Sequence, residues 1–451
     1  MLPEKTAVKS LSGLGGWGRF PVADVDAVRP EKARDLGPVG EHCIARGLGR
    51  AYGDAAILTG GTVVMTERLN RFLAFDRQTG ILRAEAGVSL RDVLRYLVPQ
   101  GWFLPVTPGT KNCTLGGCLA ADVHGKNHHR DGTFSRHVFG IELILASGER
   151  VRCGPDERSE LFWATAGGMG LTGIVSELTL QLLPVESAYM MVRHTRSTNL
   201  DRTLELLTDP RYDARYSVAW IDCLARGTKL GRGVFMAGDH AKKSEVSLRN
   251  DPLLVREKRS RPFPIDLPGW ALNPLTVRLF NRVYDLAEGG KGEFVCDYDK
   301  FFYPLDGIEG WNRMYGKRGF VQYQYVMPME SAYEGTRKIL EELSGSGRAS
   351  FLAVLKRFGP QGPGMLSFPT EGLTLALDIP MSDGLMNFLD RMDETVQKYG
   401  GRLYLAKDSR MKPEAFRSGY PRKEEFCAVR ASVDPEGRFD SDLARRIGLC
   451  R

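Results

Sequence analysis

The sequence predicts an α+β protein built as two domains, and three observations carry that reading. The chain has 451 residues, past the roughly 250–300 residues at which a single hydrophobic core stops growing. From about Ile44 to Leu183, short β-rich runs alternate with glycine clusters. Beyond about Val185 the glycine clusters thin out, and longer strands alternate with amphipathic helices. A hydrophobic content of 42% with 26% charged residues excludes collagen-like, coiled-coil and wholly disordered chains.

The elements follow in order. Ser89 can cap a helix over Leu90 to Gln100, in which Leu90, Val93, Leu94 and Leu97 share one face, and Gly101 supplies the stop. Ile141 to Ala146, the Ser147-Gly148 turn and Arg150 to Arg152 read as a hairpin. Leu178, Leu180 and Leu182 alternate with Thr179 and Gln181 in a half-buried strand that Pro184 ends. In the second region Phe320 to Met327 and Phe351 to Phe358 read as strands. A helix over Gly384 to Tyr399 gathers Leu385, Phe388, Leu389, Met392 and Val396 on one face before Gly400-Gly401. Between them, Asp239 to Arg261 carries Lys242, Lys243, Arg249, Arg256, Lys258, Arg259 and Arg261, followed by an apolar, proline-broken stretch through Trp270 to Leu275. Composition favours a solvated basic insertion; the same stretch suits an anionic membrane surface.

The formal charge of +7 permits an anionic ligand without demanding nucleic acid, and no nucleic-acid motif is present, so no such partner is expected. No run of about 18 apolar residues occurs, which excludes a membrane span. The N-terminal stretch Met1 to Phe20 lacks an apolar centre and does not read as an export signal. The eight cysteines (Cys43, Cys113, Cys118, Cys153, Cys223, Cys296, Cys427 and Cys450) are too dilute for a disulfide framework and are read as reduced thiols of a cytoplasmic protein. Such a protein can still sit peripherally at the inner face of the membrane.

The densest motifs are Arg46-Gly47-Leu48-Gly49-Arg50-Ala51-Tyr52-Gly53-Asp54, Pro108-Gly109-Thr110 and Leu115-Gly116-Gly117-Cys118. Clustered glycines let consecutive N–H groups face an anion such as a diphosphate, although tight structural turns explain them nearly as well. Gly168-Met169-Gly170-Leu171-Thr172-Gly173 has the letters of a dinucleotide fingerprint, but a strand, Ile174 to Leu183, follows where a helix is required, so a Rossmann site is rejected. His124-Gly125-Lys126-Asn127-His128-His129, with His137, concentrates four of the seven histidines. None has a recognised metal-ligand spacing, so no metal is expected, and the loop reads as polar groups around an anionic cofactor or substrate. No G-x-S-x-G elbow supports hydrolysis.

Together Arg46 to Asp54, Pro105 to Thr110, His124 to His129, Leu161 to Thr165 with Gly173, Gln322-Tyr323-Gln324 and Arg402 to Arg410 give the chain its resemblance. It resembles the decaprenylphosphoryl-β-D-ribose 2′-oxidase family, vanillyl-alcohol-oxidase-type flavoproteins that form the oxidising half of a 2′-epimerase. The similarity runs from Trp17-Gly18-Arg19 to Asp442-Leu443-Ala444-Arg445-Arg446. It implies an FAD-binding domain over 1–184, a cap or substrate domain on an antiparallel sheet over 185–401, and a segment 402–451 that returns to the FAD-binding domain. Cofactor contacts are implied for Gly47 to Gly53, including Leu48, Gly49, Arg50, Ala51 and Tyr52, and for Gly109, Thr110, Gly116, Gly117, His124, Gly125, Asn127, Ile174 and Tyr404. Tyr52 stands where many relatives carry a flavin-linked histidine, so noncovalent FAD is expected.

The resemblance further implies FAD-dependent oxidation of the ribose 2′-hydroxyl of a polyprenyl-phosphoryl-β-D-ribose. A separate NAD(P)H-dependent keto-reductase would complete epimerisation to an arabinose donor for cell-envelope or glycan arabinosylation. Lys407 corresponds to the active-site lysine, although on composition alone it reads as a surface lysine; His124 is the rival base. Trp220, Arg313, Gln322, Gln324, Lys356 and Thr374 fall at substrate-pocket positions. Thr374, Ala376 and Phe302 depart from the Asn, Cys and Tyr familiar there, which leaves the exact substrate open and removes the cysteine that nitroaromatic inhibitors alkylate. The alternatives are an FAD oxidase of a free sugar, alditol or aldonolactone, and a non-catalytic flavin-fold binding protein.

Overall fold

In the computed structural model, residues 8–246, 251–254, 260–269, 271–348, 350 and 352–450 are described. Arg249, Arg256, Lys258 and Arg259 of the basic stretch, Trp270, and Phe351 at the head of an expected strand lie outside them.

Two sheets precede residue 185. A four-stranded sheet runs in the order Lys9–Gly15, Val22–Val28, Thr62–Met65, Cys43–Arg46, its first pair antiparallel and the others parallel. A five-stranded antiparallel sheet runs Phe72–Phe75, Ile81–Glu85, Ile174–Gln181, Val138–Ile144, Arg150–Cys153. Its last pair is the expected hairpin, turning through Gly148 at φ +86°. Ile174–Gln181 is a strand directly after the Gly168 to Gly173 turn, so no helix N-terminus stands behind those glycines. The helix Leu90–Leu97 is capped by Ser89 Oγ, which accepts from Asp92 N, and buries the four apolar residues the spacing groups. It tightens into a 3₁₀ turn over Val98–Gln100, where Pro99 has no N–H for the α ladder, and Gly101 closes it at φ +83°.

After residue 185 one eight-stranded antiparallel sheet dominates. Its order is Gly292–Asp297, Tyr189–Ser197, Gly233–His240, Tyr216–Ile221, Ala353–Phe358, Gly372–Pro380, Phe320–Pro328, Arg402–Leu403. The helices Met329–Ser346 and Leu385–Lys398 cover one face. Strand alternation then dictates what the other face holds. Tyr323 and Tyr325 point to the helices, where their hydroxyls meet Asp393 Oδ1 at 3.0 Å and Thr336 Oγ1 at 3.2 Å. Gln322 and Gln324 therefore point the opposite way, into a cavity they line. Register puts Gln324 opposite Ala376, Ala376 opposite Val354 and Val354 opposite Trp220. These four side chains form one row across four strands on the cavity face.

The cysteine expectation needs correction. Cys427 and Cys450 are joined by a disulfide with their Cα atoms 5.3 Å apart, because the chain end folds back on the helix Lys423–Val433. The other six cysteines remain thiols, and the cysteines as a set no longer argue for a reducing compartment. Among the described residues no helix is long and apolar enough to cross a membrane.

Three distant segments close on one another beneath the cavity. Trp17 N donates to Ala51 O at 2.8 Å, Gly18 N to Tyr52 O at 3.0 Å, and Tyr52 N to Ala406 O at 2.9 Å. A Cβ on Gly53 would collide with the Asp408 carbonyl, and one on Gly16 with the Gly53 carbonyl. Gly53→Ala is therefore expected to cost about 1–3 kcal/mol of stability by overpacking, read as a lowered melting temperature; an unchanged one would contradict this account of the closure.

Candidate active site

A cavity of about 530 Å³ runs between the glycine loops and the large sheet, within the size range of small-molecule and cofactor sites. Its first half is backbone. The strand Cys43–Arg46 delivers the loop 46–54, which Arg46 pins by donating to Gly15 O at 2.7 Å and Ala56 O at 3.1 Å. A Cβ on Gly47 would strike Thr114, whose Oγ1 caps the helix Leu115–Ala120 by accepting from Gly117 N at 3.2 Å. A Cβ on Gly49, at φ +63°, would strike the Arg46 guanidinium. The glycines thus serve loop-on-loop packing as well as the cavity wall. Gly116 packs against Ala86, and Gly125 against Asn127 and the Thr107 carbonyl. Arg50 Cζ lies over Trp17, 3.9 Å from the ring centroid, and its Nε donates to Asn112 O at 2.9 Å.

The second half is chemical. Lys407 Nζ stands 3.9 Å from the centroid of the Tyr52 ring. Burial lowers its pKa to about 7, with Lys356 adding to the shift and Asp378 opposing it. Burial likewise lowers Lys356 to about 8 and Lys126 to about 7. Asp378 is fully buried and pushed up to about 7; its Oδ1 accepts from Gln322 Nε2 at 2.5 Å and its Oδ2 from the Tyr315 hydroxyl at 3.4 Å. Gln322 also hydrogen-bonds the phenol of Tyr52, whose pKa burial raises well above the ordinary tyrosine value.

His124 is held differently. The Gln324 amide donates to Thr374 Oγ1 at 3.2 Å and lies 3.1 Å from His124 Nε2. Because the amide nitrogen can only donate, that ring nitrogen accepts, and the imidazole is neutral. Burial first, then the Lys356, His128 and Lys407 charges, push its pKa well below the ordinary histidine value. The other three histidines of the loop go to separate partners: His128 Nδ1 accepts from Gly359 N at 3.2 Å, and His129 and His137 meet the Ala214 and Asp131 carbonyls. Among the described residues no group of three or more metal-ligating side chains is gathered.

Gly47, Leu48, Gly49, Arg50, Ala51, Tyr52, Gly109, Thr110, Gly116, Gly117, His124, Gly125 and Tyr404 line the cavity, and so do Trp220, Gln322, Gln324, Lys356 and Lys407. Five expected residues do not. Gly53 is turned to Asp408, and Asn127 donates to Pro105 O and Asp131 Oδ2. Ile174 points to a core cluster while its neighbours Gly173 and Val175 reach the wall, and Thr374 stands behind Gln324. Arg313 faces away to Asp266 at 3.3 Å and the Phe263 carbonyl at 3.0 Å. The sequence reading did not assign Asp378 or Lys126. The polar loop 124–129 already holds Lys126, but Asp378 looks like an ordinary strand end until the register sets it beside Gln322.

Charge tests whether such a cavity suits FAD. Among the described residues its walls carry Arg46, Arg50, Lys126, Lys300, Lys356 and Lys407 against a single carboxylate, Glu288. That excess, beside the glycine loops, fits a diphosphate and a further anion.

Comparison with known proteins agrees. Residues 39–154 match the model of an FAD binding domain, so the cofactor is FAD, and residues 317–447 match that of D-arabinono-1,4-lactone oxidase. The chain is 40% identical to the decaprenylphosphoryl-beta-D-ribose oxidase of Mycolicibacterium smegmatis over 97% of both chains. It is 22% identical to the L-gulono-1,4-lactone dehydrogenase of Mycobacterium tuberculosis, covering 96% of this chain and 98% of that one.

Of the charges that act on Lys407, Asp378 does most to keep its pKa from falling further. In Asp378→Asn, the Lys407 ammonium, followed by NMR of 13Cε-labelled lysine, is expected to titrate at lower pH than its wild-type value near 7; an unchanged or higher midpoint would contradict the pairing.

Proposed function

The chain belongs to the decaprenylphosphoryl-β-D-ribose oxidase family, and from that premise we propose that it oxidises the ribose 2′-hydroxyl of a polyprenyl-phosphoryl-β-D-ribose to the 2′-keto sugar. It is an FAD-dependent oxidoreductase of the class that acts on CH–OH groups. The observation that carries the substrate reading is the continuity of one cavity from the glycine loops to a lysine-rich end around Lys407, His124, Gln324 and Lys356.

Bound FAD supplies the acceptor for the hydride that leaves the sugar carbon. The chain's own residues handle the proton and the pose. Lys407, with a pKa near 7, is partly neutral at neutral pH and takes the hydroxyl proton. His124 is too acidic as an imidazolium to hold that proton, and its accepting nitrogen is already taken by the Gln324 amide. Of the two candidate bases the environment thus favours Lys407. Lys356 and Lys126 supply positive charge to the phosphoryl group. Tyr52 offers no imidazole for covalent attachment, which accords with noncovalent FAD.

The same reading assigns 1–184 and 402–451 to the FAD-binding part and 185–401 to the cap. Support comes from the two sheets before residue 185, the large antiparallel sheet after it, and the bond from Tyr52 N to Ala406 O. It also assigns reduction of the keto sugar to a separate NAD(P)H-dependent keto-reductase, since the dinucleotide-like letters Gly168 to Gly173 lead into a strand. Oxidation of a free sugar or aldonolactone is the second reading, favoured by the D-arabinono-1,4-lactone oxidase match. The excess of buried lysines argues for an anionic substrate instead.

Anaerobic mixing distinguishes the two. Polyprenyl-phosphoryl ribose is expected to bleach the flavin, and free ribose or L-gulono-1,4-lactone to leave it oxidised; the reverse result would overturn the substrate class. Lys407→Ala should keep its FAD and lose reduction. Lys126→Met should lower kcat/KM for the phosphorylated sugar by about tenfold or more, the scale of one buried charge-assisted contact; equal kcat/KM would remove Lys126 from phosphate recognition.

A further inference from the structure

The helix Pro274–Glu288 is amphipathic on both sides of an unusual division. At 100° per residue, Leu275, Leu279, Val283 and Leu286 fall within an arc of about 80°. All four are exposed, at 73%, 66%, 57% and 67%. Such a stripe is normally the side a helix buries. Here a different side is turned inward: Val277 and Asn281 are buried, and Tyr284 and Glu288 line the cavity, with Tyr284 packed on Trp220 at 4.7 Å between ring centroids. Arg278 and Arg282, both exposed, lie along one flank of the apolar stripe.

Beneath this helix the cavity wall changes character. Val192, Val218, Met236 and Phe294 line it there, contributed by strands of the large sheet. Lys126 stands between this apolar end and the lysines of the reacting end: its carbonyl accepts from Ser217 N at 2.9 Å, on the strand that lies between those of Met236 and Lys356, and its ammonium bonds the Phe301 carbonyl and lies 4.1 Å from the Phe301 ring centroid. The order along the cavity is thus reacting end, cation, apolar wall beneath the helix.

We propose that the helix Pro274–Glu288 is an interfacial helix, whose Leu275, Leu279, Val283 and Leu286 face enters the surface of an anionic lipid bilayer while its other face forms the lip of the substrate cavity. The proposal rests on the lipid-linked substrate assigned above and says how such a substrate is reached. The phosphoryl sugar enters under the lip toward Lys126, and the hydrocarbon chain stays in the membrane that the stripe contacts. Arg278 and Arg282 select anionic headgroups, the arrangement by which interfacial helices combine apolar burial with charge. A bilayer is preferred to a second copy of the chain as occupant because the basic flank complements anionic lipid and the same helix, through Tyr284, lines the cavity that would take a lipid-linked sugar.

The test is co-sedimentation of the FAD-loaded full chain with phosphatidylglycerol/phosphatidylcholine vesicles. The wild type is expected to bind, pure phosphatidylcholine to bind less, and Leu279→Asp/Leu286→Asp to lose about tenfold or more in affinity while retaining its flavin spectrum and its rate with a water-soluble short-chain phosphoryl ribose. Leu286→Trp, a milder change, should show a blue-shifted emission when vesicles are added. Absence of wild-type binding, equal binding by the double variant, or an unshifted Leu286→Trp emission would each overturn the proposal. So would a concentration-dependent dimer, without vesicle binding, that the double variant dissolves. Flavin reduction by the short-chain analogue without vesicle binding would sink the membrane contact alone; vesicle binding with a flavin that no phosphoryl ribose bleaches would sink the substrate reading alone.

Discussion

The structure depends on the closure of three chain segments that are remote in sequence: 16–18, 50–54 and 404–409. Backbone hydrogen bonds link Trp17 to Ala51, Gly18 to Tyr52 and Tyr52 to Ala406, and glycine is needed where two backbones meet at Gly16 and Gly53. Behind them Arg446 binds Asp54 and Asp408, each at 2.8 Å. This closure holds Tyr52 and Lys407 face to face, and with them the junction of the glycine loops and the sheet-borne pocket. A site built on rigid backbone contacts keeps its side chains in register without needing them to bind one another.

Electrostatics follow from that geometry. Several cations are brought into one cavity whose wall, among the described residues, carries a single carboxylate, Glu288. Desolvation lowers the lysine pKa values toward neutrality, and the Lys356 charge lowers those of Lys126 and Lys407 further, so the same cavity attracts an anion and holds an amine able to accept a proton. Asp378 tempers this from behind the wall and does not reach the cavity itself. His124 then serves as an acceptor of fixed direction, because the Gln324 amide defines which of its nitrogens carries the lone pair.

Much of this is legible in the sequence where the signal is local. The Ser89 cap, the Gly148 turn and the alternation of Leu178, Leu180 and Leu182 are read from neighbouring residues, the glycine loops from motifs, and Lys407 from the family resemblance alone. What depends on long-range pairing is not. Asp378 acquires meaning only when its strand is laid against Gln322. Arg313 lies in a short 3₁₀ turn whose direction is set by Asp266, 47 residues away, and it turns outward. Ile174 sits one residue out of phase with the wall, the smallest error a strand permits and one that reverses the face. The Cys427–Cys450 bond arises from how the chain end folds back, which composition does not encode.

The central claim is that the buried amine of Lys407 takes the proton of the sugar hydroxyl. The pH dependence of the rate constant for anaerobic flavin reduction tests it most directly. The account predicts a rate that rises with pH through an inflection near 7, where Lys407 loses its proton, and then levels off. A rate that stays flat across about pH 5 to 9, or a rising limb that survives in Lys407→Ala, would contradict it.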